Sequence, residues 1–303
     1  MSTTLAHRSR AGFTLLEVLI AMLIGVIVLT ASTSLAMSVW QSMTGTQFRD
    51  GIERNARFIG MSLTRDLQEA GVDLESKPAF GSLAVYGDTI SILRVPYDPV
   101  EAQPYPLSTA NYATGICGAL CVEIQTGGIA PILADGDVAL LQSQTVRHLI
   151  RVTGVSAVSG GYQVTFANTA TLLNRPAGAL VVTNPAASFV QRLATSTYWR
   201  EGTQLMRATT VNASGTPQGQ LLATGVQTMN VSLVFTDGHE ASFAAEPDGD
   251  VTNNYDEIAA IRIRMVIQAD RTSPRVNGGV LLTRPKEWYL VPRNLVYERN
   301  RVP

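Results

Sequence analysis

The chain has 303 residues and a mass of 32.5 kDa, which is enough for one or two compact domains. Lys and Arg number 23 against 24 Asp and Glu, so the net charge of −1 gives no surplus for binding a phosphate backbone, and we expect no nucleic-acid partner. Charged residues are only 16% of the chain, against roughly 25% in an average soluble domain, which indicates a long uncharged segment.

That uncharged segment lies near the N-terminus. Residues 18–48 contain no charged side chain, and residues 18–29 are exclusively Val, Leu, Ile, Ala, Met and Gly. A membrane-spanning helix needs about 20 predominantly apolar residues. His7, Arg8 and Arg10 precede the segment, so the positive-inside rule places the N-terminus in the cytoplasm and the rest of the chain beyond the membrane. The sequence therefore predicts a single transmembrane helix.

The helical pattern continues past the apolar segment. Large apolar residues recur every three or four positions, which predicts an amphipathic helix that leaves the membrane and ends at about Gly71. The predicted buried face consists of Phe48, Ile52, Ala56, Ile59, Leu63 and Leu67. The predicted exposed face carries Arg49, Asp50, Glu53, Arg54, Arg57, Arg65, Asp66 and Glu69.

Beyond Val72 the sequence changes to short strand-like runs separated by Gly, Pro, Asn and Asp. We predict strands at residues 83–86, 89–95, 121–125, 138–141, 146–153, 162–166, 179–183, 189–200, 203–210, 227–235 and 258–269. The last is the clearest, because apolar residues alternate with more polar ones from Ile261 to Gln268. The predicted fold class is therefore α+β: a helical spine over residues 13–71 carries one β-rich head over residues 72–303.

Two features make the N-terminal segment more than an anchor. Glu17 lies in the first turns of the membrane helix, where a charge costs about 2.5–3.5 kcal/mol, so a partner is expected. The residues 12–22, GFTLLEVLIAM, resemble the class III signal of type IV prepilins and type II secretion pseudopilins. The resemblance implies that a prepilin peptidase removes the leader, residues 1–12, by cutting after Gly12, and methylates Phe13. Glu17 would then neutralise the Phe13 amine of a neighbouring subunit during filament assembly.

Two other interpretations of this segment remain open. The Gly12–Phe13 junction can be a chance match, with Glu17 hydrated near the membrane surface. Alternatively, the segment can be an ordinary secretory signal with a small-residue cleavage site at residues 34–36, so that the mature chain begins at Met37. The acidic residue within the apolar region and the length of that region disfavour the secretory signal.

Within the pilin-like family, residues 54–59 and 63–71 look like the segment that follows the membrane helix in PilW-type minor pilins. Residues 222–227 and the strand at 261–267 are similar too. The resemblance implies a non-enzymatic minor pilin, first in the inner membrane with a periplasmic head and then at the tip of a type IV pilus. The implied partners are other minor pilins and the major pilin through the N-terminal helix, the prepilin peptidase, the inner-membrane assembly platform and a tip adhesin.

Two other classes of protein remain as alternatives to the minor pilin. J-type pseudopilins of type II secretion systems share this layout, although their heads are generally smaller. A membrane-anchored periplasmic binding module that never polymerises belongs to a different class. The sequence carries no G-x-S-x-G, H-E-x-x-H or phosphate-binding Gly-rich motif, so no enzyme is predicted.

The head offers two further candidate sites. Cys117 and Cys121 are the only cysteines, and in an oxidising compartment a close pair predicts a disulfide that encloses a small loop. An acidic loop supplies weak calcium candidates, Asp248, Asp250, Asn253 and Asp256, although it lacks the EF-hand order and can equally be a solvated turn. No other cofactor is predicted.

Overall fold

The computed structural model describes residues 14–108, 116–144, 146–167, 171–173, 175–176, 187–242, 253–274 and 276–301. Gly12, Phe13, Asp248, Asp250 and the predicted strand at 179–183 lie outside the described residues.

Helix α1 spans Leu15–Gln68, and a short helix α2 spans Arg293–Arg301. The described strands between them are β1 (Leu83–Tyr86), β2 (Thr89–Arg94), β3 (Tyr105–Pro106), β4 (Ile116–Gly118), β5 (Cys121–Ile124), β6 (Val138–Ser143), β7 (Val146–Val158), β8 (Gly161–Phe166), β9 (Thr171–Leu172), β10 (Arg175–Pro176), β11 (Ser188–Arg192), β12 (Ala194–Glu201), β13 (Gln204–Val211), β14 (Pro217–Thr224), β15 (Val226–Phe235), β16 (Glu240–Ala241), β17 (Ile258–Gln268) and β18 (Thr283–Leu290).

The strands form antiparallel sheets. Their orders are β1-β2-β12-β13-β14, β3-β11-β6-β7-β8-β5-β4, β16-β15-β17-β18 and the pair β10-β9. A long N-terminal helix followed by a β-rich globular region of antiparallel sheets is the α+β class that the sequence predicts, so that prediction is confirmed.

The chain divides into two compact units. The first consists of Met1–Gly51 and Arg271–Leu282, and the second of Ile52–Asp270 and Thr283–Pro303. The division falls within α1 and not at its end, because the part of α1 after Gly51 packs with the sheets of the second unit.

In the second unit, the apolar stripe of α1 forms part of the core. Ile52, Ala56, Ile59, Leu63 and Leu67 are each at most 4% exposed, as the helical spacing predicts. Burial of such side chains stabilises the fold by about 1.5–3 kcal/mol for each large aliphatic group. The amphipathic pattern therefore correctly predicts the face that this half of the helix buries.

Gly60 permits a close contact between α1 and β18. A Cβ atom at Gly60 would lie 2.5 Å from Nε1 of Trp288. The glycine weakens the helix by about 1 kcal/mol relative to Ala, but it lets an indole ring approach the helix backbone. The packing of Trp288 thus explains a residue that helix propensity alone disfavours.

The seven-stranded sheet has its own apolar core, which lies in the second unit. The buried residues of this core are Tyr105, Leu107, Val122, Ile124, Leu133, Ala139, Leu141, Ile150, Val152, Val164, Phe166 and Val190. The alternation in β17 is also confirmed, because Ile261, Ile263, Met265 and Ile267 are at most 1% exposed.

Two differences from the predicted elements have physical causes. The predicted strand 189–200 is two strands, because the chain leaves the seven-stranded sheet after β11 and joins the five-stranded sheet as β12, with Leu193 buried at the change. Helix α2 and the two- or three-residue strands β3, β4, β9, β10 and β16 were not predicted, and neither were the longer strands β14 and β18. Both of these longer strands lie at sheet edges, where one side of the backbone has no partner strand among the described residues and few apolar residues are needed.

Candidate functional site

The first turn of α1 is closed by reciprocal hydrogen bonds between Thr14 and Glu17. The Thr14 backbone N–H and hydroxyl both lie 3.1 Å from Oε2 of Glu17, and the Glu17 N–H donates to the Thr14 hydroxyl oxygen at 3.3 Å. This is a capping box, in which the side chains at the N-cap and N3 positions satisfy backbone donors at the start of a helix. Oε1 of Glu17 accepts no hydrogen bond from the described residues, so it can accept one from another chain.

The most apolar part of α1 is not covered by the described residues of its own chain. Helix α1 is the one helix in the described residues that is long and apolar enough to cross a membrane, and none of its most apolar 18-residue window is buried. Glu17 is the only charged residue between Thr14 and Phe48. The hydrophobic effect therefore favours a lipid or protein environment around this segment.

The threonine hydroxyl groups in this segment donate hydrogen bonds within the helix. The Thr30 hydroxyl donates to the Val26 and Ile27 carbonyls at 3.0 and 2.9 Å, and the Thr33 hydroxyl donates to Leu29 at 2.8 Å. An unpaired hydroxyl would be costly in hydrocarbon. These threonines therefore do not prevent the helix from residing in a membrane.

The second half of α1 is held on the second unit by a buried polar network around Asp66. Oδ2 of Asp66 accepts a hydrogen bond from the Tyr198 hydroxyl at 2.7 Å and lies 2.7 Å from a guanidinium nitrogen of Arg207. The Tyr198 hydroxyl also lies 3.1 Å from that of Ser62. Asp66 was predicted on the exposed face, and this was wrong: it is 3% exposed, because Tyr198 and Arg207 replace water as its partners.

The electrostatics of this network follow from burial and pairing. Burial by itself raises the pKa of Asp66, but hydrogen bonds from Tyr198 and Arg207 outweigh this effect, and the pKa lies below its ordinary value. Burial first, and then the hydrogen bond to Asp66, raise the pKa of Tyr198. Asp66 is thus charged, and Tyr198 neutral, at neutral pH.

Polar contacts extend along the rest of this half-helix. Nζ of Lys286 lies 2.6 Å from the Glu53 carboxylate. Nδ2 of Asn55 donates a hydrogen bond to the Thr224 carbonyl at 2.6 Å. Nδ2 of Asn294 donates a hydrogen bond to the Gln68 carbonyl at 2.8 Å. These contacts tie α1 to β18, β14 and α2 respectively. The half-helix is therefore fixed along its length within the second unit.

The two candidate sites of the head lie on separate elements. Cys117 in β4 and Cys121 in β5 are placed as a disulfide, with their Cα atoms 5.2 Å apart. Of the calcium candidates, Asn253 and Asp256 are described, and their Oδ1 atoms are buried with no hydrogen-bond partner among the described residues. The described residues contain no group of three or more His, Cys, Asp or Glu that could hold a metal.

Comparison with known proteins identifies the N-terminal segment. Residues 7–33 match the family model described as the prokaryotic N-terminal methylation motif. No curated protein and no solved structure matches the chain. The chain therefore carries the class III signal of type IV pilin-like prepilins, which points to a structural protein, and the motif together with the apolar helix is consistent with an inner-membrane anchor.

Sequence reasoning missed two features of these sites. The capping box has a local signal, because a Thr three residues before a Glu at the start of an apolar run is typical of a helix N-terminus. The Asp66 network has none, since Tyr198 and Arg207 are 132 and 141 residues away in the sequence.

Proposed function

We propose that this protein is a PilW-like minor pilin, which primes the assembly of a type IV pilus and remains in its tip complex. Cleavage after Gly12 and methylation of Phe13 precede assembly. The head lies in the periplasm until the subunit enters the filament, and it is then carried to the cell surface. The protein performs no catalysis.

The observation that carries this proposal is the difference in burial between the two halves of α1, a helix whose first turns lie within the matched N-terminal methylation motif. The large aliphatic side chains from Leu15 to Leu29 are exposed on all sides of the helix, whereas the second half of α1 is fixed to a folded β-rich unit. A subunit that must pass from a membrane into a helical filament needs such an unpartnered apolar segment, since lipid and neighbouring helices can both cover it.

Glu17 is the proposed assembly contact. Cleavage would create a cationic amine on Phe13, next to the first turn of α1. The capping box engages Oε2 of Glu17 and leaves Oε1 able to accept a hydrogen bond from the amine of a neighbouring subunit. Pairing would remove the cost of two charges in an apolar filament core. The partners through this helix are the other minor pilins and the major pilin.

Deletion and complementation test the proposed role. We expect loss of surface pili in the deletion strain, restoration by the wild-type gene, and unchanged protein secretion. Loss of secretion with normal piliation would contradict the minor-pilin role and favour the J-type pseudopilin. Normal piliation and normal secretion would favour a membrane-anchored binding module instead.

Two properties of the head belong to the proposal. In the periplasm, the Cys117–Cys121 disulfide closes the β4–β5 turn. The acidic loop would bind Ca²⁺, which prefers oxygen ligands, through residues that include Asn253 and Asp256, whose buried Oδ1 atoms have no hydrogen-bond partner among the described residues. Calcium should raise the midpoint of thermal unfolding of the wild type and leave that of an Asp256→Asn variant unchanged.

A further inference from the structure

Strand β14 lies at one edge of the five-stranded sheet, and it pairs only with β13 among the described strands. In an antiparallel pair, every second residue directs its backbone N–H and C=O away from the partner strand. Either Gln220 or both of its neighbours therefore direct these groups outward. No described residue outside β13 forms a backbone hydrogen bond with residues 218–223. This edge thus presents backbone donors and acceptors that the described chain does not use.

The unpaired part of β14 is long enough to bind another strand. Residues 218–221 are all exposed, and the stretch 218–223 spans about 20 Å, which is the usual length of a strand. Beyond it, the Thr224 carbonyl accepts a hydrogen bond from Nδ2 of Asn55 in α1 at 2.6 Å. The two register shifts between β13 and β14 lie on either side of residues 219–221, which pair regularly. The centre of this edge is therefore a regular strand.

An apolar row crosses the sheet and ends at this edge. Trp199 of β12 is paired with Met206 of β13, which is paired with Leu221 of β14, so the three side chains lie on one face. The indole of Trp199 reaches β14, because a Cβ atom at Gly219 would overlap the ring. Trp199 and Met206 are half-buried, whereas Leu221 is 53% exposed. A strand added beside β14 would cover Leu221 and continue the row.

Strand β18, the other long edge strand of the described chain, has protective features that β14 lacks. Both strands have eight residues. Charged side chains and internal prolines protect edge strands against pairing with other chains, and β18 contains Arg284, Pro285, Lys286 and Glu287. The sequence of β14, PQGQLLAT, has no charged residue and has a proline only at its first position. The side chains therefore oppose strand addition at β18 and permit it at β14.

We propose that the outer edge of β14 binds an extended segment of a partner protein, which adds a sixth strand to the five-stranded sheet. Backbone hydrogen bonds to residues 218–223 hold the segment, and the alternation of its side chains selects it. Side chains on the face of Leu221 are apolar, and those on the face of Gln218 and Gln220 are polar. The segment is uncharged, because β14 has no charged group to compensate for the lost hydration of an ion.

A partner protein fits this edge better than a second copy of the chain does. The neighbour of Leu221 on the same face of β14 is Gly219, so two copies of β14 would bring few apolar side chains together. Strand addition at β14 goes beyond the proposed function and requires neither a pilus nor cleavage at Gly12. Its tests are therefore separate from those of the proposed function.

Hydrogen exchange tests whether the edge is free in the protein alone. In the full-length protein in detergent, we expect the outward amides of residues 218–223 to exchange at least about tenfold faster than the amides of the central strand β12. Equally slow exchange at the two strands would overturn the proposal, because it would show that the chain itself covers the edge.

Photo-cross-linking in the cells that naturally produce the protein tests the occupant. p-Benzoylphenylalanine replaces Gln218 or Gln220 in the full-length chain, and in the matched control it replaces Tyr289, an exposed residue of β18. We expect at least about fivefold more cross-linked product from the β14 positions. The attachment sites should lie on one segment of the partner and shift by about two residues between the two probes. Equal yields, cross-links to a second copy, or sites without this shift would overturn the proposal.

A charge at the edge tests the proposed chemistry of the contact. Leu221→Lys should reduce cross-linking from position 220 at least about fivefold, because an added strand would bury the ammonium group. Leu221→Ile and Tyr289→Lys should both retain it. Leu221 and Tyr289 are exposed, so the midpoints of thermal unfolding should stay those of the wild type. Cross-linking that is unaffected by Leu221→Lys would contradict strand addition at β14.

Discussion

Residues 15–51 and residues 52–68 belong to one helix, but their apolar side chains have different surroundings. The large aliphatic side chains from Leu15 to Leu29 are between 46% and 84% exposed, whereas Ile52, Ile59 and Leu63 are at most 2% exposed. The sheets of the second unit cover the later segment. The residues from Leu15 to Leu29 have no such cover among the described residues, so the hydrophobic effect favours an external environment, such as lipid, around their apolar surface.

This contrast assigns different tasks to the two segments. Stability of the second unit depends on residues after Gly51, where each buried side chain contributes to the fold. In the proposed function, membrane residence and assembly depend on residues before it, and we expect substitutions there to leave the folded unit intact. The predictions below test this separation, and they begin with the largest expected effect.

The first prediction concerns Glu17. We expect Glu17→Ala to abolish incorporation into filaments, lowering the amount in the sheared filament fraction at least about tenfold, because the Phe13 amine of a neighbouring subunit loses its counter-charge. Immunoblots of sheared filaments and of membranes give the measurement. Membrane levels and the unfolding of the second unit should not change.

A second variant at this position distinguishes charge from helix capping. Glu17→Gln keeps a side chain that can accept the Thr14 hydrogen bonds but removes the charge. If ion pairing is the role of Glu17, the glutamine variant fails as the alanine variant does. Normal incorporation of Glu17→Gln would show that capping of the helix is sufficient.

The second prediction compares the same substitution in the two segments. Leu63→Ala should lower the free energy of unfolding by about 2–5 kcal/mol, because it leaves a cavity in the core. Leu23→Ala, at a position that is 60% exposed, should leave that free energy unchanged. Urea unfolding of detergent-solubilised protein, followed by tryptophan fluorescence, measures both. Equal effects would refute the separation of tasks.

The third prediction concerns Asp66 and its pH dependence. Asp66→Asn should lower the free energy of unfolding by about 2–3 kcal/mol, because Arg207 loses its buried counter-charge. The pKa of Asp66 is lower in the folded protein than its ordinary value of 3.8, so the unfolded chain binds the proton more tightly. The stabilisation is therefore complete above about pH 4 and is lost as the pH falls through the folded-state pKa.

Unfolding measurements on the wild type and on Asp66→Asn across this pH range give the test. The difference in free energy of unfolding between the two proteins should become smaller as the solution becomes more acidic. Glu53→Gln is the control, since Glu53 is a solvent-accessible partner of Lys286, and it should have a much smaller effect. A difference that grows in acid would contradict the assignment.

The fourth and smallest effect concerns the disulfide. Replacing both Cys117 and Cys121 by Ser should destabilise the second unit by about 2 kcal/mol or less, because a bridge between residues four apart restricts few conformations of the unfolded chain. Unfolding with and without reductant checks this value. Reductant should lower the free energy of unfolding of the wild type and leave that of the double variant unchanged.

The sequence predicts those parts of the fold whose signals are local. The buried stripe of α1 and the alternation in β17 follow from spacing alone, because each has one apolar face. Strand β18 was missed because its residues, TRPKEWYL, include a proline and three charges and have no clear apolar alternation, which an edge strand tolerates. The burial of Asp66 was missed because its partners are distant in sequence.

The central claim is that the first segment of α1 is a processed prepilin spine. The most direct test is the N-terminal residue and intact mass of the protein extracted from membranes, with and without the prepilin peptidase. The account predicts a chain that begins at Phe13 and carries one additional methyl group, and an uncleaved chain when the peptidase is absent. A chain that begins near Met37, or that still begins at Met1 when the peptidase is present, would contradict it.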